Sequence, residues 1–111
     1  MINSDELKLI NDRLDKLEFQ IELLKQRSPV NDYILESNIT KKEFHEILDV
    51  MDKYRALIDS GKEANKYSFE TEILNIVKSI DANYQFCIHL VQSFKEENRY
   101  EEIFEAFYPN K

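Results

Sequence analysis

Between residues 4 and 27 six apolar side chains, Leu7, Ile10, Leu14, Leu17, Ile21 and Leu24, recur at alternating spacings of three and four. That rhythm holds apolar side chains along one line of a helix for three heptads, and neither a strand nor a loop makes use of it. It predicts a long amphipathic helix with an a/d seam of the kind that winds helices together. Asn3 or Ser4 can cap its start, Asp5 and Glu6 set negative charge beside the free amides of the first turn, and Arg27, Ser28 and Pro29 end it. At 1.5 Å per residue such a helix is roughly 36 Å long, whereas a compact chain of this size has a radius of gyration of about 13 Å. Part of the helix is expected to project.

The rest of the chain carries helical signals in shorter pieces. With one Gly and two Pro among 111 residues, turns and strands lack their usual punctuation. A helical turn is expected at residues 32–36. Thr40 and Glu43 then form a capping box ahead of Phe44, Ile47, Leu48, Met51, Tyr54, Leu57 and Ile58 on one stripe, with Ser60-Gly61 as the terminator. After a polar loop over 61–67, Ser68 is the expected cap of a helix presenting Phe69, Ile73, Ile76, Val77 and Ile80. Asp81 is the expected cap of the next, which presents Phe86, Cys87, Leu90, Val91 and Phe94, and Asn98 with Glu101 reads as a second capping box before Tyr100, Ile103, Phe104 and Phe107. No segment alternates with the period of a strand. The expected fold is all-α and a single domain over residues 1–111: a long oligomerisation helix at 4–27, a connector at 28–39, and a compact array of about four shorter helices at 40–107.

The string from Arg13 to Lys25 (RLDKLEFQIELLK), the string from Asn38 to Phe44 (NITKKEF) and the closing Arg99-Tyr100-Glu101-Glu102-Ile103 together resemble the small uncharacterised family typified by Bacillus YhaI. The order of helices is similar too, and the resemblance spans residues 10–107. Members of that family tend to set aromatics around the proline of the connector, whereas Ser28-Pro29-Val30 has none before Tyr33. The resemblance implies an all-helical, self-associating Firmicute or phage protein, and it brings no established activity with it.

Composition narrows the function classes. A hydrophobic share of 42% with 33% charged residues suits a folded core with a solvated exterior. No apolar run approaches the roughly 20 residues that cross a bilayer, and no basic segment followed by an apolar one opens the chain, so a cytoplasmic protein without membrane contact is expected. Cys87 is the only cysteine, which rules out an intramolecular disulfide. A net charge of −7 repels phosphate backbones, against direct nucleic-acid binding.

Residues that could carry chemistry are few. His45 shares its helical face with Lys41, Asp49 and Asp52, and His89 with Gln85, Gln92, Ser93 and Glu96, so both read as surface histidines. Lys42 and Phe86 stand where an E-x-x-H metal pair would need glutamate. Cys87 lies on an apolar stripe, where a thiol acts as a small hydrophobe. No phosphate loop, nucleophile elbow or H-E-x-x-H motif is present. The reading is therefore not an enzyme, with no catalytic, metal or cofactor-binding residues.

Two features remain. Glu96, Glu97, Glu101, Glu102 and Glu105 form an acidic run that could dock a basic partner, though such runs are usually a solvated face. The seam of Leu7, Ile10, Leu14, Leu17, Ile21 and Leu24 is the candidate interface, because the same helix carries Phe19, Leu23 and Leu9 on another face. Two faces imply two partners: the protein's own later helices on one side and a copy of itself or another chain on the other. Arg13 and Glu18 suit a parallel pair, while the mixture of Leu and Ile at a and d does not fix the strand number. The expected function is that of a non-enzymatic regulatory or adaptor protein, a homo-oligomer that binds another protein. The alternative is an acidic, phage-encoded inhibitor of a nucleic-acid-handling host enzyme or toxin.

Overall fold

The computed structural model describes residues 3–78 and 83–110. It holds the helices α1 (Ser4–Lys25), α2 (Pro29–Glu36), α3 (Lys41–Asp59), α4 (Lys66–Ile76), α5 (Tyr84–Glu96) and α6 (Glu101–Phe107), with no strand among the described residues. The fold is all-α, a long first helix followed by shorter ones, as the periodicity predicts.

Helix starts follow from short polar side chains placed one turn before the first free amides. Asn3 accepts the Glu6 N–H at 2.8 Å, and Ser28 accepts the Asn31 N–H at 3.1 Å with Pro29 in the first helical position. In the capping box, Thr40 accepts the Glu43 N–H at 3.1 Å and Glu43 accepts the Thr40 N–H at 2.9 Å. Three helix ends share one device. Asn38, Gly61 and Asn98 take left-handed backbone with φ of 58°, 75° and 61°. The N–H groups of the residues after them, Ile39, Lys62 and Arg99, reach back to the carbonyls of Ile34, Leu57 and Phe94. This is the Schellman closure of orphan carbonyls, and Gly or Asn is the residue that tolerates it.

Several expected boundaries move. α1 stops at Lys25 rather than 27, and the Arg27 side chain instead pairs with Asp32 at 2.7 Å. The turn expected at 32–36 is a full helix from Pro29, because Ser28 caps it. Asn65, not Ser68, caps α4: its side chain accepts the Ser68 N–H at 3.0 Å, which shortens the polar loop. α5 begins at Tyr84 with Asn83 as its cap, whereas Asp81, and Ile80 of the preceding stripe, lie outside the described residues. The second capping box does not form. Asn98 closes α5 instead, and Tyr100, itself left-handed with φ of 55°, stands at the start of α6 without a side-chain cap.

The core lies among α2 to α6. Val30, Ile34, Ile47, Met51, Phe69, Ile73, Leu90, Val91, Phe94 and Ile103 have no exposed surface, and Phe69 and Phe107 pack their rings against Tyr54 at 5.2 and 6.2 Å between centroids. α2 packs on α5 as well as α1, so the connector carries core residues. The molecule measures 58 × 26 × 24 Å with a radius of gyration of 15.9 Å, above the roughly 13 Å of a compact chain of this length. The excess length is α1.

Candidate interaction face on the first helix

Residues 3–15 are all exposed, and the buried residues of α1 both lie in its second half. There Phe19 and Leu23 are 5% and 4% exposed, and the Phe19 ring sits 6.1 Å from that of Phe44 on α3. The seam residues Leu7, Ile10, Leu14, Leu17, Ile21 and Leu24 are between 42% and 54% exposed, large apolar side chains in a line with nothing over them. Because successive residues turn by about 100°, Phe19 and Leu23 lie about 160° around the helix from the middle of that line. One face anchors α1 to its own body and the opposite face is left in water. Leu9, read with Phe19 and Leu23 from the sequence, is 65% exposed because it falls in the half that extends past the body.

Arg13 and Glu18 flank the seam and are exposed, and among the described residues neither side chain is tied into an ion pair. On the Glu18 side α1 borders an open groove of about 930 Å³, shared with the start of α3 and lined by Asp12, Asp15, Glu18, Phe19, Glu22, Lys41 and His45 among others. Its charges are of both signs. Lys41 and Glu22 approach to 3.8 Å across it.

The residues of the acidic run differ in exposure. Glu96, Glu101 and Glu105 are exposed and Glu102 is half-buried. Glu97, expected to face water, turns inward: its Oε2 accepts the Val30 N–H at 2.7 Å, a carboxylate at the N-terminus of α2 where helix amides favour negative charge. His89 is exposed with its ring edge toward Tyr33, and His45 is exposed at the groove. Among the described residues no three His, Cys, Asp or Glu side chains converge as a metal site. Cys87 is fully buried, its thiol within 3.9 Å of the Glu70 carbonyl, and burial with the nearby Glu70 carboxylate pushes its pKa up to about 12. A nucleophile needs the thiolate, and here the thiol is the favoured form.

Sequence reasoning missed a set of carboxylates that work across the fold. Glu43, 8% exposed, completes its capping box with one oxygen and with the other accepts the Lys78 N–H at 2.9 Å, joining the start of α3 to the exit of α4. Tyr54 donates to Glu72, which also pairs with Lys53; Tyr100 donates to Asp52 at 2.6 Å; Tyr108 donates to Glu70 at 2.8 Å. Burial foremost, then the neighbouring carboxylate, raises all three phenols, Tyr54 to about 12. The capping half of Glu43 was readable from its spacing to Thr40. The tyrosine partners stand 18 to 48 residues away and leave no local signal. These groups are interhelical ties, with each carboxylate already engaged.

Fold and face together define a small helical protein with one long helix left half-covered and an apolar stripe exposed along it. The chain is similar to the uncharacterized protein YqxJ of Bacillus subtilis (strain 168), at 27% identity over an alignment of 90 residues, with 69% of this chain and 75% of that protein covered. No protein-family model and no solved structure matches it. Among the described residues no helix is long and apolar enough to cross a membrane.

Proposed function

We propose that this protein is a non-enzymatic adaptor or regulator that self-associates through α1 and acts by binding another protein. The observation that carries the reading is the uncovered line of six large apolar residues on a helix whose opposite face is anchored. Covering a half-exposed Leu or Ile contributes roughly 1 kcal/mol, so six from each of two copies give about 12 kcal/mol gross. Association costs about 4–15 kcal/mol, which places the assembly in a concentration-dependent range rather than a permanent one. We propose the wider kinship to the YhaI-type family on the strings 13–25, 38–44 and 99–103 alone. The bond from Glu97 to the α2 amide favours this reading over an acidic antagonist, because it removes one carboxylate from the surface such an inhibitor would present.

Light scattering tests it. The wild type is expected to exceed the monomer mass at micromolar concentration, and Leu14→Glu with Leu17→Glu is expected to return it to monomer with its helicity retained, because charges then sit where apolar surface must be covered. A monomeric wild type overturns the reading.

A further inference from the structure

The uncovered seam leaves open which way a second copy runs, and the residues beside it supply the answer. Taking Leu7, Leu14 and Ile21 as the a positions and Ile10, Leu17 and Leu24 as d, Ser4, Asn11, Glu18 and Lys25 occupy e, and Glu6, Arg13 and Gln20 occupy g. The apolar layers do not choose a direction. An in-register parallel pair sets each layer on itself, and an antiparallel pair centred between Leu14 and Leu17 also sets apolar on apolar throughout. The flanks do choose. In the parallel arrangement each g residue meets the e residue five further along the partner helix, so Arg13 faces the partner's Glu18 and Glu18 faces the partner's Arg13. The remaining parallel contacts, Glu6 with Asn11 and Gln20 with Lys25, carry no like charges. Reversing one helix places Arg13 opposite Gln20 and Glu18 opposite Asn11, and both charge pairs are lost.

We infer that α1 associates with a second copy of itself parallel and in register, with reciprocal Arg13 and Glu18 contacts specifying that direction. This rests on the self-association proposed above. The structure supports it in two further ways. Arg13 and Glu18 are exposed and not held in ion pairs within the chain, among the described residues, so both are free to reach across the seam. Phe19 and Leu23 carry the body on the side of α1 away from the seam. Two bodies can therefore lie at the same end of a parallel pair, each on its outer side.

Charge reversal tests the direction on the full-length protein. Arg13→Glu sets a second carboxylate against Glu18 at both flanks of its own assembly, and Glu18→Arg sets two guanidinium groups together. Each variant is expected to dissociate at a concentration roughly tenfold higher than the wild type, two pairs having changed from attraction to repulsion. An equimolar mixture of the two variants gives a mixed pair in which no copy faces only its own sign. Native mass spectrometry is then expected to find the mixed pair well above the one-half that random assortment gives, with the excess shrinking as salt screens the charges. Circular dichroism of each variant checks that the exposed substitutions leave the fold intact. A wild-type assembly whose two variants assort randomly overturns the parallel direction while leaving self-association standing. A monomeric wild type overturns both.

Discussion

At the scale of single residues, Glu43 ties two helices together because backbone N–H groups engage both of its oxygens. Glu43 accepts one N–H from Thr40 and another from Lys78, and its two oxygens have no spare role. Replacing it with glutamine keeps the shape but turns one oxygen into an NH2, which then faces an N–H donor in a buried setting. Leaving such a donor unsatisfied costs about 2 kcal/mol, and a domain of this size loses about 4–8 °C for each kcal/mol. Thermal unfolding of Glu43→Gln is accordingly expected roughly 10 °C below the wild type; an unchanged midpoint would mean the Lys78 amide finds water instead. Tyr100 shows the same dependence on surroundings. Its left-handed backbone is unfavourable for a bulky side chain, and it is held there by its bond to Asp52, the Phe94 ring at 5.1 Å and the Arg55 guanidinium at 4.9 Å.

At the scale of helices, α1 carries one anchored and one uncovered surface, and substitution is expected to separate them. Phe19→Ala removes a buried ring from the contact with α3, a change of about 3 kcal/mol or more. Leu17→Ala, two residues away on the uncovered side, is expected to cost the isolated protein well under 1 kcal/mol. Denaturant unfolding at concentrations low enough to keep the proposed assembly apart reads the difference, and equal losses would show that α1 is anchored through its seam. The a/d rhythm and the Thr40 box were legible because their causes are local, a matter of spacing within a few residues. So was the pair of faces on α1. The asparagines were not legible in the same way, because Asn both opens and closes helices: Asn98 three residues before Glu101 has the spacing of a box, yet the turn places it in left-handed backbone where it ends α5. Ser68 misled for a related reason, since Asn65 three residues earlier caps the same amide row. Glu97 could not be found from its neighbours, as its partner Val30 is 67 residues away.

At the scale of the whole molecule, buried phenols and a buried thiol give the fold a defined alkaline limit. Tyr33, Tyr54, Tyr100 and Tyr108 all hold their protons more tightly in the folded state, chiefly through burial, and Cys87 does likewise. An unfolded thiol releases its proton near about pH 8.5 and an unfolded phenol near about pH 10, while folded Cys87 and Tyr54 retain theirs to about 12. Over that interval the unfolded chain binds fewer protons than the native one, so stability falls as pH rises. The urea midpoint is expected to hold steady to about pH 8.5 and then decline towards pH 12, and a midpoint constant to pH 11 would contradict the burial of these groups. The projecting half of α1 obeys a different control. Residues 4–15 are helical and all exposed, and a helical stretch that short is marginal in water without packing. In the self-association proposed above, its order would be set by occupancy of the seam: dilution would let the first turns fray, and contact with a second copy would wind them. On that proposal the outer half of the helix is a segment whose folding and association would be one event, with protein concentration as the variable that decides both.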